Sequence, residues 1–277
     1  MEGCSTWAMD RAAWSGNLEI VQWLHANRTE GCSTNAMNNA VANGHFEIVK
    51  FLHANRNEGC TTDAMDKAAL NGHLEIVKFL HANRTEGCTT AAMDGAAGNG
   101  HLDVVKWLHA NRTEGCTREA MHFAAVFGHL EIVKWLHENR TEGCSHSTMK
   151  WAANRGHLDV VKRLHENRNE GCTTSAMDTA ASLEILRWLH ENRTEGCTEA
   201  AMENAACGGK FEALLFMKQA GIYRYTSRGA YEAVKNDHFE IFHWLRANYP
   251  DTTSTAHPNL LAGGAAARCR RAHQRWP

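Results

Sequence analysis

The chain has 277 residues, with 29 Lys and Arg against 31 Asp and Glu, a formal net charge of -2 and 43% hydrophobic residues. Those proportions exclude a disordered or fibrous chain, and no apolar run approaches the roughly 18–20 residues that would cross a bilayer. The three prolines, Pro250, Pro258 and Pro277, all stand beyond residue 249, so residues 1–249 suit continuous helix better than a turn-rich β fold.

Glu-Gly-Cys recurs with its cysteine at Cys4, Cys32, Cys60, Cys88, Cys116, Cys144 and Cys172, a step of 28 residues. The next, Cys197, arrives three residues early, because Ala180-Ala181-Ser182-Leu183 stands where a fuller repeat reads Ala68-Ala69-Leu70-Asn71-Gly72-His73-Leu74. Tyr225 takes the cysteine position of a degenerate ninth unit. A period between 20 and 50 residues reads as a solenoid whose units bury their apolar faces against one another. Nine units fill residues 1–249, and the shortened seventh turn near Ser182 is expected to be a weak joint. The opening Glu2-Gly3-Cys4 falls in mid-repeat, as in a piece of a longer array.

Each unit predicts two helices. In the third, Thr61 or Thr62 caps the first helix, Ala64, Met65, Ala68 and Ala69 form its inward face, and Gly72 ends it in a left-handed conformation. The second helix begins near His73, with Leu74, Ile76, Val77 and Leu80 inward. The aromatic at the Phe79 position, shared by Trp23, Phe51, Trp107, Trp135, Trp188 and Trp244, is expected to wedge between neighbouring units. The histidine two positions later, as in His25, His53 or His81, sits near the helix end and is expected to contact terminal carbonyls.

The string Ala68 to Leu80, with its paired alanines, Gly-His turn and Leu-Glu-Ile-Val helix, resembles the second half of an ankyrin repeat. It departs from that family in two ways: Asp63-Ala64-Met65-Asp66 replaces the Thr-Pro-Leu-His opening, and the period is 28 where the family's is about 33. The resemblance implies an all-α, ankyrin-like solenoid of stacked helix-turn-helix repeats with reduced β-turn fingers. It also implies a non-enzymatic scaffold that binds a partner protein through the concave face of the first helices.

Comparison of the units with one another separates a constant frame from a varying stripe at the third, sixth, seventh, tenth and eleventh positions after each cysteine. Spacings of three and four place that stripe on one side of the first helix. Its apolar concentration is in units five and six: Glu119, His122, Phe123, Val126 and Phe127, then Lys150, Trp151 and Arg155, the aromatic-plus-arginine makeup of binding hot spots. Phe123, Phe127 and Trp151 are expected to form one patch. Trp7, Arg11 and Trp14 make a secondary candidate at the first unit.

The alternative function is metal or nucleic-acid binding through the Cys/His or Lys/Arg ladders. Stacked helices lie about 8–10 Å apart, too far for adjacent thiolates to share a zinc or a disulfide. Each of Lys50, Lys78, Lys106, Lys134 and Lys162 follows an acid by three residues, so the basic ladder reads as compensated pairs. No Cys-x-x-Cys, His-Glu-x-x-His, phosphate loop or Gly-x-Ser-x-Gly occurs, so neither cofactor nor catalytic residue is assigned. Residues 250–277 carry a net charge of +3 and are expected to be a disordered basic tail, leaving an acidic body poorly suited to nucleic acid. With no signal-peptide or acylation pattern at Met1-Glu2-Gly3-Cys4 and ten dilute cysteines, the expected location is cytoplasmic, or nuclear, without membrane attachment.

Overall fold

The computed structural model describes residues 6–222 and 227–250. Cys4, Tyr225 and the tail expected to be disordered, from 251 onward, lie outside the described residues. The chain forms two compact units, Met1–Ser145 and His146–Pro277.

The first unit holds five helical hairpins. They are α1 (Trp7–Trp14) with α2 (Leu18–Asn27), α3 (Thr34–Ala42) with α4 (Phe46–Asn55), α5 (Thr62–Leu70) with α6 (Leu74–Asn83), α7 (Thr90–Gly98) with α8 (Leu102–Asn111), and α9 (Arg118–Val126) with α10 (Leu130–Asn139). The second holds four: α11 (Thr148–Arg155) with α12 (Leu158–Asn167), α13 (Ser175–Asp178) with α14 (Leu183–Asn192), α15 (Glu199–Cys207) with α16 (Phe211–Gln219), and α17 (Ser227–Lys235) with α18 (Phe239–Asn248). No strand occurs among the described residues. The repeats are therefore stacked helical hairpins, as the sequence pattern predicts.

The third repeat shows why the pattern folds this way. Ala64, Met65, Ala68 and Ala69 are buried, and so are Ile76, Val77 and Leu80, while Leu74 is only half-buried. Full burial of a Leu or Met side chain stabilises by about 1.5–3 kcal/mol, and every repeat supplies several. Gly72 takes φ +74°, and a Cβ there would also come within 2.6 Å of the His101 ring in the next repeat. The glycine is needed twice, for the left-handed turn and for the close approach. Every second helix except α16, which ends at Gln219, closes with an asparagine whose amide donates to the carbonyl four residues back, as Asn83 does to Phe79 at 2.8 Å.

Three ladders join repeat to repeat. In the first, an Asp on one first helix accepts from the residue that caps the next: Asp66 takes the Thr89 amide at 2.8 Å and its hydroxyl at 2.7 Å. Asp10 holds Ser33, Asp94 holds Thr117 and Asp178 holds Thr198 in the same way. The hydroxyl, having donated, accepts from the amide two residues on, as Thr89 does from Ala91 at 3.1 Å. At Asn38 the polarity reverses: its amide donates to the Thr61 hydroxyl at 3.0 Å, and Thr61 makes no side-chain cap. Where Asp or Asn fills it, the sixth position of the varying stripe is thus a clamp; His122, Lys150 and Tyr231 are the positions where neither Asp, Asn nor Glu does.

In the second ladder the loop Arg–Glu pairs, Arg56 with Glu58 and Arg84 with Glu86, are mostly shielded from solvent. Glu58 reaches back to accept the Cys32 amide at 3.2 Å, and Glu86 accepts that of Cys60 at 3.3 Å. These pairs tie successive loops together. The third ladder sets six of the second-helix histidines edge-on against the aromatic of the following repeat, whereas His137 has Arg163 at that place. His25 meets Phe51 at 5.5 Å, His81 meets Trp107 at 5.2 Å and His109 meets Trp135 at 5.1 Å between ring centroids. The wedge expected of the aromatics is present, and its counterpart is the histidine that was expected at helix-end carbonyls.

The seventh repeat loses more than its turn. Its first helix, α13, has four residues where α5 has nine. The shortened chain turns through Ala181, whose amide donates to the Ala153 carbonyl at 3.0 Å. Ser182 then caps α14 by accepting from Ile185 at 3.3 Å. The seam therefore has its own hydrogen bonds despite lacking the Gly-His signal.

Candidate functional site

In the first unit the side of the first helices opposite the Ala-Met core carries Leu70 at the end of α5, Gly95 and Gly98 in α7, and Phe123 and Phe127 in and just after α9. A Cβ added at Gly95 would lie 2.7 Å from Leu70 Cδ1, and one at Gly98 would lie 2.9 Å from Phe123 Cβ. Leu70 and Phe123 therefore reach over the backbone of α7 from its two sides. Phe123 is 40% exposed and Phe127 49%, with their ring centroids 6.5 Å apart. The His122 ring lies 5.5 Å from that of Phe123 and is half-buried. Glu119 is exposed beside them, and Asp63 and Lys67 form an ion pair at 3.5 Å on α5.

Val126 is only 8% exposed. It turns into the helix packing and offers little to a partner. The sequence stripe included Leu70, Gly95 and Gly98 but did not single them out. The signal was there: two large apolar side chains flank a unit that is Ala91, Gly95 and Gly98 at the varying positions.

In the second unit, Trp151 on α11 is 40% exposed, with Lys150 Nζ 5.2 Å from its ring centroid and Arg155 exposed at the end of the helix. These residues belong to a different compact unit from Phe123 and Phe127. At the first repeat, Trp7 is 68% exposed, and the Arg11 guanidinium lies 4.2 Å from the Trp14 ring centroid. Guanidinium and ammonium groups over ring faces hold those rings in place with some exposed area left.

Burial pushes the thiols of Cys32, Cys60, Cys88 and Cys116 up to about 11, so they stay protonated near neutral pH. Among the described residues no group of three or more His, Cys, Asp and Glu could hold a metal ion. Lys78 and Lys134 lie 2.7 Å from Glu75 and Glu131, so this part of the basic ladder is compensated. No helix among the described residues is long and apolar enough to cross a membrane.

No curated protein matches the chain. The family model for ankyrin repeats (3 copies) matches residues 9–94, 65–150, 91–178 and 121–203. These overlapping matches span more than half of the chain and fall on the hairpins whose Gly-His turns and Ala-Met cores are described above. The chain therefore belongs to the ankyrin-repeat family, in a form with a 28-residue repeat.

Proposed function

We propose that this chain is a non-enzymatic scaffold that binds a partner protein through the varying face of its first helices. Ankyrin repeats are in general protein–protein interaction modules. In this reading Phe123 and Phe127 are the main anchors in the first unit, with Leu70, Glu119 and His122 around them. Trp151 with Lys150 and Arg155 is the anchor in the second, and Trp7, Arg11 and Trp14 form a secondary contact. The observation that carries it is the exposure of Phe123 on α9, and of Phe127 at its end, while the opposite side of that helix is buried. Exposed aromatics of this kind supply most of the binding energy where they anchor an interface.

The test is affinity capture with the intact chain beside a variant with Phe123, Phe127 and Trp151 all changed to Ala. The reading expects proteins retained by the parent and lost from the variant, with a binding loss of about 2 kcal/mol or more for each anchor. The melting temperature should move little, because the Ala, Met, Leu and Val core is untouched. Capture that is the same with both chains, or a variant that melts far below the parent, would remove these residues from the binding surface.

A further inference from the structure

The second unit holds a cavity of about 210 Å³ where the seventh repeat is short. In a full repeat this space is filled by the last turn of the first helix and by the Gly-His turn. Here α13 stops at Asp178, and the chain crosses to α14 in four residues, 179–182. What remains is a hollow with an apolar floor, including Met177, Leu186 and Met217, and a polar rim.

The rim is rich in donors. Lys210 stands where His45, His73, His101 and His129 stand in other repeats, at the entry to the second helix. There, His45 and His73 set Nε2 about 3.2 and 3.3 Å from the Trp14 and Ala42 carbonyls of the preceding turn. Lys210 reaches the Ala180 carbonyl at 2.8 Å, and an ammonium has two further N–H bonds to give. The Asn204 and Asn154 amides each place one N–H on a backbone carbonyl, of Asp178 at 3.0 Å and Thr179 at 3.1 Å, and each has a second. Ser182 uses its oxygen as the cap of α14, which leaves its proton to donate. The one carboxylate on the rim, Asp178, has both oxygens engaged by Thr198 at 2.7 and 2.9 Å.

We propose that this cavity is a binding site for a carboxylate carried on a short aliphatic stem, with the Lys210 ammonium as its counter-charge. The stem matches the Met and Leu floor, and the carboxylate matches the surplus of N–H and O–H donors. A water's share of liquid volume is about 30 Å³, so 210 Å³ holds a carboxylate with three or four carbons with space for a bridging water. Burial pushes the Lys210 pKa below its ordinary value, a cost to the charged form that a bound anion offsets. The site adjoins α11 through Asn154, one turn from Trp151, but its donors include none of the proposed anchors and the inference does not depend on their role. Its occupant is either a free small acid or the carboxylate of an acidic residue on another protein.

The test is titration of the intact isotope-labelled chain at pH 8 with butyrate, followed by amide resonances, with butanol and butylammonium as controls. Butyrate is expected to shift the signals of Ser182, Ala205 and Lys210 saturably, and the two controls are not. Lys210→His restores the residue of the other turns, is largely neutral at this pH and should fold; butyrate is expected to bind it at least tenfold more weakly. Ala205→Leu fills the hollow and should abolish the shifts while the circular dichroism is retained. Competition by blocked glutamate would assign the site to protein-borne carboxylates; saturable butyrate binding without competition would assign it to free acids, and both support the site. Equal shifts with butanol, undiminished binding by Lys210→His, or shifts confined to other repeats would overturn it.

Discussion

The Asp94 carboxylate holds Thr117 through both of its oxygens, taking the backbone amide at 2.8 Å and the hydroxyl at 2.7 Å. That places a carboxylate at the start of α9, where the helix dipole favours negative charge, and sets the Thr117 hydroxyl to cap the Glu119 amide at 3.1 Å. Replacing Asp94 by Ala removes two charge-assisted bonds and is expected to cost about 1–3 kcal/mol. Asp94→Asn should cost less but release the cap, as Asn38 does at Thr61. Urea melts of both variants give the costs, and faster hydrogen exchange at the Glu119 amide reports loss of the cap.

Gly95 and Gly98 should respond differently to the same change. Alanine in a helix is worth about 1 kcal/mol over glycine when nothing stands in its way. At Gly95 the new methyl meets the flexible end of Leu70, which can swing aside. At Gly98 it meets the Phe123 Cβ at 2.9 Å, an atom fixed to its backbone. Thermal melts should show Gly95→Ala close to the parent or above it and Gly98→Ala below it. Gly98→Ala should also alter Phe123 exposure, read by partner binding or by ring resonances.

The loop glutamates make stability depend on acid. Their bonds from arginine hold the carboxyls of Glu58, Glu86 and Glu114 down, from the ordinary 4.5 to about 2. A carboxyl with a depressed folded-state pKa contributes stability above its unfolded value, and this is lost as pH falls towards the folded one. The contribution of these pairs should therefore be level from pH 7 to about 5 and decline between about 4.5 and 2. Glu86→Gln, with its loop partner gone, should flatten that part of the melting-temperature profile relative to the parent; an unchanged slope would show that the acid sensitivity comes from elsewhere.

The frame was legible because it is written many times over. The 28-residue cysteine step fixed the repeat, and the paired alanines and Leu-Ile-Val spacing placed the buried faces of both helices. The clamp was misread for a physical reason: Asp66 and Thr89 are 23 residues apart, and no local spacing rule links them. Because the position changes to Asn38, His122 and Lys150, variation alone assigned it to a binding stripe. The histidine ladder was misread in the same way, since the ring each one meets belongs to the next repeat. At the seventh repeat the missing residues were counted correctly, but a count cannot say whether a helix or a turn gives them up. The exposed faces of Phe123 and Trp151 follow from the stripe itself, whereas the bridging of α7 by Leu70 and Phe123 depends on how closely glycine lets helices approach.

The clamps also bear on how such a chain can change length. Each joins a carboxylate or amide in one repeat to a Ser or Thr at the same place in the next, and the loops and rings follow the same rule. Excision of residues 60–87 would bring Asn38 opposite Thr89 in place of Thr61 and His53 opposite Trp107 in place of Phe79, while Cys32 would keep Glu58. Duplication of that stretch would copy every joint along with the hairpin. The chain can thus gain or lose whole 28-residue cassettes without breaking the pattern of joints, while the side chains on the outer face of α5, α7 and α9 vary independently of them.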